Sequence, residues 1–248
     1  MKFAIVTTSL NPGRYLNATL QSVLTQAGDF SIAYHVQDAG STDGTVDLLK
    51  SQLQEIERGN LAIQCREISF SYASEPDQGM YDGINRGFRQ LLNKHQAADA
   101  MLWINADDKL APDALARVAA HLNAYPEIDW IIGRTIHIDE SDNEIANHPS
   151  DNVRNQDIAA GKCDGIAYSY ITQEACVWTT RLWKKCGELD ARLKFAGDFE
   201  YWQRAAMLGF INEQIDASIG LHRKHSNQLS SLGGYREEVS LKTLRAKR

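Results

Sequence analysis

The sequence has no Cys-x-x-Cys pair. Its four cysteines, Cys65, Cys163, Cys176 and Cys186, show neither zinc-type spacing nor the density of a disulfide scaffold. A chain of 248 residues that is 43 % hydrophobic can build a sizeable core without such staples, so free thiols in a reducing compartment are expected. Long apolar runs are missing too: none approaches the roughly 18 residues of a membrane span. Met1-Lys2 leads straight into a strand pattern with no signal-peptide hydrophobic region, which predicts a cytoplasmic protein. Positive charge is not in excess. A net charge of −6 excludes the overall electrostatic footprint of a nucleic-acid binder and directs attention to a small ligand. No Gly-x-Gly-x-x-Gly follows the first strand, which argues against a dinucleotide-dependent oxidoreductase. Internal repeats and low-complexity segments are absent.

What is present is organised around Met101-Leu-Trp-Ile-Asn-Ala-Asp-Asp-Lys109, an apolar run that stops at two adjacent carboxylates. Such runs read as buried strands, and in open α/β sheets ligands collect where strands end. Adjacent anions need a cation or hydrogen-bond donors, and aspartate oxygens suit hard ions such as Mg²⁺ or Mn²⁺. A polar turn ahead of a helix at Ala111-Pro112-Asp113 is the plainer alternative.

The rest of the chain supplies the context. Lys2 to Thr7 reads as a strand, followed by a loop over 8–14 and helical spacing at Leu16, Leu20, Val23 and Leu24. Ser31 to Gln37 is a second strand, ending in the turn-forming Asp38-Ala-Gly-Ser-Thr-Asp-Gly-Thr45, with a helix carrying Val46, Leu49, Leu53 and Ile56 behind it. A weaker strand from Ile63 to Phe70 precedes Glu75-Pro-Asp-Gln-Gly-Met-Tyr-Asp-Gly83 and a helical face of Ile84, Phe88, Leu91 and Leu92. Alternation of this kind predicts a mostly parallel sheet flanked by helices, with all the loops that follow strands on one edge. Thr8 to Asn11, Asp38, Asp77, Asp107 and Asp108 then converge. Asp139 to Gly165 is polar and resists assignment. Beyond it, Ile171 to Thr179 is ordered, Gly197 to Gly209 reads as a helix with Phe199, Trp202 and Ala206 inward, Ser218 to His222 as a last strand, and Tyr235 to Arg248 as a helical tail.

These stretches together resemble the family 2 glycosyltransferases of the GT-A fold. The matching segments are Thr8-Ser-Leu-Asn11 with Leu20 to Gln26, Asp38 to Thr45, Glu75 to Gly87, Asn105-Ala-Asp-Asp108, Gln173-Glu174 and Gly197-Asp-Phe-Glu-Tyr-Trp202. The resemblance implies one domain over 1–248, with 1–110 binding a nucleotide-sugar donor, a UDP-sugar foremost, and 111–248 binding a saccharide or lipid-linked acceptor. It implies inverting transfer with Mn²⁺ or Mg²⁺ in cell-surface polysaccharide assembly. Thr8, Asn11 and Asp38 would line the nucleoside pocket, Asp77 would meet base or ribose, Asp107 ribose, and Asp108 the metal. Asp198 matches the family's catalytic base, and Gln173 and Glu174 would lie near the acceptor. His222 or His225 would reach the diphosphate or its metal, with Arg223 and Lys224 beside them favouring a phosphate role. Leu10 and Ala39 depart from the family pattern, at a base-stacking aromatic and at a second base-reading aspartate. Read locally, Asp198 is also a helix N-cap, Asp38 a turn cap, and the histidines surface or core residues. Trp178 is a candidate platform for an acceptor. The basic tail, with Arg236, Lys242, Arg245, Lys247 and Arg248, is a solvated helix or a peripheral contact with an anionic membrane. A sugar-phosphate nucleotidyltransferase would show a Gly-rich, Arg- and Lys-bearing first loop, which 8–14 lacks. A catalytically silent binder would have lost Asp108 or Asp198, and both are present.

Overall fold

The computed structural model describes residues 1–94, 98–148, 153–166, 170–229 and 233–246. Strand β1 (Lys2–Ser9) and β4 (Ala100–Trp103) are almost wholly buried, as expected of central strands covered on both faces. They are joined in the parallel half of the sheet by β2 (Gly28–Asp38) and β3 (Cys65–Ser74), in the order β3-β2-β1-β4. Helices α1 (Tyr15–Leu24), α2 (Thr45–Glu57) and α3 (Met80–Lys94) make the crossovers. Leu16, Leu20, Val23 and Leu24 of α1 are fully buried, and so are Ile84 and Phe88 of α3, at the spacing the sequence predicts. Gly87 lets α3 lie close against the sheet, because a Cβ there would come within 2.6 Å of the Val6 side chain.

Past β4 the sheet changes character. It continues through β8 (Cys176–Thr179), β6 (Trp130–Ile138), β9 (Asn212–Arg223) and the two-residue β5 (Lys109–Leu110), with β7 (Glu144–His148) paired to β6. Here β8 runs antiparallel to both β4 and β6, whereas β6 and β9 are parallel. The sheet is therefore parallel in its N-terminal half and mixed beyond. One consequence decides the site: the start of β8 and the end of β9 come to the same edge as the ends of β1, β2, β3 and β4.

Several boundaries move. The edge strand β3 reaches Ser74, and β9 begins at Asn212 instead of Ser218, because both are completed by pairing partners rather than by their own hydrophobicity. The polar stretch from Asp139 contains β7 and the short helix α5 (Asn155–Ala159), while 149–152 lie outside the described residues. Helix α4 (Ala114–Ala124) follows β5, α6 (Thr180–Cys186) follows β8, α7 (Gly197–Met207) precedes β9, and α8 (Tyr235–Ala246) closes the chain. Lys247 and Arg248 of the basic tail lie outside the described residues, as do the side chains from 241 onward. Among the described residues no helix is long and apolar enough to cross a membrane.

Four indoles fill the middle of the core. Trp103, Trp130, Trp178 and Trp202 are each at most 1 % exposed. Trp130 stacks on Trp202 at 4.9 Å, and Trp178 meets Trp103 and Trp202 edge-on at 5.3 and 5.6 Å. Aromatic pairs in these geometries add about 0.5–1.5 kcal/mol each beyond the area they bury. Trp178 thus has no face for a sugar. Its place on β8, paired with Met101 of β4 and Trp130 of β6, makes it core and corrects the expectation of acceptor stacking.

Candidate active site

The loops after β1 and β2 are sewn together by side chains. Asn11, in the left-handed region with φ 47°, donates its backbone N–H to Ser41 Oγ at 2.7 Å and accepts the Thr42 N–H on Oδ1 at 2.8 Å. Asp43 accepts the Gly13 N–H at 2.9 Å. Asp38 is fully buried, and its Oδ2 accepts the Ser41 N–H at 2.9 Å, the Gly40 N–H at 3.1 Å and the Ser74 hydroxyl at 2.6 Å. Burial works to raise the Asp38 carboxyl, but the Ser41 and Ser74 hydroxyls and the backbone N–H groups hold it below the usual carboxylate range. Asp38 and Asn11 therefore shape the loops after β1 and β2. Thr8 and Asp77 meet over Gly83, where a Cβ would lie 2.9 Å from both Thr8 Cγ2 and Asp77 Oδ2. The Asp77 carboxyl is raised, chiefly by burial.

Deeper along the edge, three ligand-type side chains meet. Asp108, Glu174 and His222 each present one atom, and these atoms lie within 4.8 Å of one another. His222 Nδ1 is 3.0 Å from Glu174 Oε1 and 3.4 Å from Asp108 Oδ1. Asp108 comes from the end of β4, Glu174 from the 3₁₀ turn Gln173–Ala175 ahead of β8, and His222 from the end of β9. Burial, reinforced by the Glu174 and Asp107 carboxylates, drives the Asp108 carboxyl up. Burial acts on Glu174 in the same sense, yet the His222 imidazolium overrides it and holds Glu174 low. His222 itself is raised, because the two carboxylates outweigh the burial that disfavours its charge. A proton on His222 thus offsets the charge of the carboxylate pair, Glu174 foremost, and two oxygens with one imidazole nitrogen are a donor set that fits Mn²⁺ or Mg²⁺ in its place. Glu174, expected near the acceptor, sits in this trio, with the Gln173 amide against it.

Close packing fixes the trio. A Cβ on Gly220 would fall 2.4 Å from the Glu174 backbone oxygen and 2.6 Å from its Cβ. Gly220→Ala is expected to push Glu174 off His222, which thermal unfolding would register as a melting temperature several degrees lower. An unaltered melting temperature would show that the turn can yield.

Asp107 is turned the other way, with Oδ2 at 2.9 Å from His225 Nε2. His225 packs at 4.8 Å against the Tyr15 ring. Arg223, favoured in the sequence as a phosphate partner, is 1 % exposed and braces the loops instead. Its Nε donates to the Asp107 carbonyl at 2.8 Å, Nη1 to the Asp139 carbonyl at 2.9 Å, and Nη2 pairs with Asp142 at 2.6 Å. The Arg223 N–H also donates to Asp108 Oδ1 at 2.8 Å.

Asp198 stands apart from the trio, in the first turn of α7 and 5 % exposed. It faces a narrow pocket lined by Cys163, Tyr170, Ile171, Phe199, Trp202 and Tyr235. Tyr170 donates its hydroxyl to Asp198 Oδ2 at 3.2 Å, and the Phe199 N–H donates to Oδ1 at 2.8 Å. Burial, aided by the charge on Glu174, pushes the Asp198 carboxyl up to about 6 despite these donors.

The profile of the family described as "Glycosyl transferase family 2" matches residues 4–173. The chain belongs to that family. The match takes in every residue named above on β1 to β4 and stops at Gln173, so Glu174, Asp198 and His222 lie beyond it. Glycosyltransferases of PGL/p-HBAD biosynthesis from Mycobacterium tuberculosis and Mycobacterium bovis are 33 % identical over 136 residues, covering 54 % of this chain and 46 % of each relative. The chain spans less than half the length of these relatives. Among solved structures, S. aureus TarS 1–349 in complex with UDP-GlcNAc aligns with a TM-score of 0.70 at 16 % identity, over 99 % of this chain and 66 % of that one. A mannosyltransferase from Pyrobaculum calidifontis in complex with GDP-Man and Mn²⁺ aligns at 0.64 with 14 % identity, over 98 % and 63 %. The fold of this family 2 chain is accordingly of the GT-A type.

Proposed function

We propose that the chain transfers a sugar from a nucleotide-sugar donor, a UDP-sugar foremost, to a hydroxyl of a saccharide or lipid-linked acceptor, with inversion and with a divalent cation, in cell-surface polysaccharide assembly. The observation that carries this reading is the Asp108–Glu174–His222 trio at one sheet edge, together with a separate buried carboxylate, Asp198, near enough to feel the charge on Glu174 and with a proton affinity that suits a base. The fold is shared with proteins holding UDP-GlcNAc or GDP-Man with Mn²⁺, which supports the donor class and the metal.

In this reading the loops held by Asn11 and Asp38 receive the nucleoside, with Thr8 and Asp77 beside it. Asp108, Glu174 and His222 would hold the cation. When bound, that ion would offset the negative charge growing on the departing diphosphate. Asp198 takes the proton of the acceptor hydroxyl as its oxygen forms a bond to the anomeric carbon, while the bond from that carbon to the diphosphate oxygen breaks and the nucleoside diphosphate leaves with the electron pair. One displacement inverts the carbon.

A base must be unprotonated to act. With the Asp198 carboxyl near 6, kcat is expected to rise tenfold per pH unit below about 6 and to level off above it. An acid limb centred near 4 would show that Asp198 is solvated and not poised. Titration of UDP, GDP, dTDP and CDP with and without Mn²⁺ tests the donor assignment directly: UDP is expected to bind, and to bind more tightly with the metal. Binding of none of them in either condition would overturn the reading.

A further inference from the structure

We propose that Glu238 is a positioning residue for Asp198, clamping from helix α8 the backbone that carries the base; this rests on the assignment of Asp198 as the base. Helix α7 has Ala196 at its N-cap position and no side-chain cap of its own. The N–H groups leading into it go to a carboxylate more than forty residues downstream. Glu238 Oε1 accepts from Lys194 N at 2.8 Å, and Oε2 from Phe195 N and Ala196 N at 2.8 and 2.9 Å. Charge-assisted bonds of this kind are roughly twice as strong as neutral ones, and an anion at this place also complements the helix dipole.

Other contacts of the same helix converge there. Val239 is 3 % exposed and packs with Ala196 and Phe199, the residue after the base. Tyr235 walls the Asp198 pocket, and Gly234 leaves room for the Phe195 ring, which a Cβ would approach to 2.5 Å. On the opposite side Tyr81 lies under Gly197, where a Cβ would come within 2.6 Å of its ring. The segment 194–198 is thus held between α3 and α8. Without the clamp, a shift of about 1 Å at the base suffices for a hundredfold loss of rate. The donor loops and the Asp108 trio have no contact with Glu238 in the hydrogen bonds described.

The test uses the full chain and three readouts. Turnover is followed as nucleoside diphosphate release from UDP-GlcNAc and from GDP-mannose, backbone exchange by deuterium uptake over 192–201, and nucleotide affinity by titration of UDP with Mn²⁺. Glu238→Ala is expected to lower kcat by about 20- to 100-fold with the donor KM within twofold, and to speed exchange at 194–199 while UDP affinity holds. Glu238→Gln keeps the helix and one acceptor oxygen and should fall between. In an Asp198→Asn background, Glu238→Ala should change the residual rate by less than twofold, because its effect passes through the base. Unaltered exchange at 194–199, an unaltered kcat, or a full additional loss in the Asp198→Asn background each overturns the proposal. If Asp198→Asn keeps wild-type turnover, the base assignment fails, an outcome separate from an Asp198-dependent enzyme that ignores Glu238. If neither donor turns over, exchange confined to 194–199 with intact UDP affinity supports the clamp, and unaltered exchange rejects it.

Discussion

Asp198→Asn is expected to lower the rate of sugar transfer by about 10² to 10⁴ while leaving nucleotide affinity intact, and at the same time to make the protein more stable. The first part follows from the role proposed for the side chain as proton acceptor. The second follows from linkage. The folded-state carboxyl titrates near 6, above an unfolded value of about 3.8, so the folded chain binds the extra proton more tightly. The stability this confers is full below about 4 and is lost as pH rises to about 6. Above that, charge on Asp198 costs the fold about 3 kcal/mol relative to a neutral group, at about 1.4 kcal/mol per pH unit. Asparagine keeps an acceptor on Oδ1 for the Phe199 N–H, presents its Nδ2 to the Tyr170 oxygen, which can accept in turn, and carries no charge. Its melting temperature at pH 8 should stand several degrees above the parent, and the gap should close towards pH 4. A lower melting temperature together with undiminished transfer would remove Asp198 from the mechanism.

The second large effect is expected at Asp108. Asp108→Asn should cut Mn²⁺-dependent UDP affinity at least about 100-fold, since removing a ligand exceeds the 10- to 100-fold typical of outer partners. Binding in the absence of metal should be unaltered, because none of the hydrogen bonds described for Asn11, Asp38 and Asp77, the residues proposed to receive the nucleoside, goes to the trio. Calorimetry with and without Mn²⁺ on both proteins separates the two terms. Equal losses in both conditions would mean that Asp108 holds the loop and not a cation, which its bonds from the Arg223 N–H and Asn105 make a real alternative.

How much of this was legible beforehand depended on how local each signal is. The strands ending at Ser9, Asp38 and Trp103 are marked by their own apolar runs and by turn chemistry behind them, and β3 is marked in the same way only as far as Phe70; together they bring the aspartates to one edge by topology alone. The trio needed more: that Glu174 reaches Asp108 depends on β8 running antiparallel between β4 and β6, which nothing in Ile171 to Thr179 encodes. Trp178 shows the same limit from the other side, since a tryptophan on a strand reads alike whether its neighbours are a ligand or three more indoles. Arg223 beside two histidines suggested phosphate, but its guanidinium is consumed by two backbone carbonyls and Asp142. Glu238, one acid in a charged tail, carried no local signal whatever. Its partners are backbone N–H groups, which every residue has.

The nest of indoles also has an optical consequence. Four of the five tryptophans are sealed in one apolar cluster, and the fifth, Trp183, is only 6 % exposed. Emission should therefore be blue-shifted and shielded from iodide, and the near-parallel Trp130–Trp202 pair at 4.9 Å should couple as an exciton in circular dichroism. Both signals report loss of the core, which makes intrinsic fluorescence and near-ultraviolet circular dichroism direct gauges of unfolding.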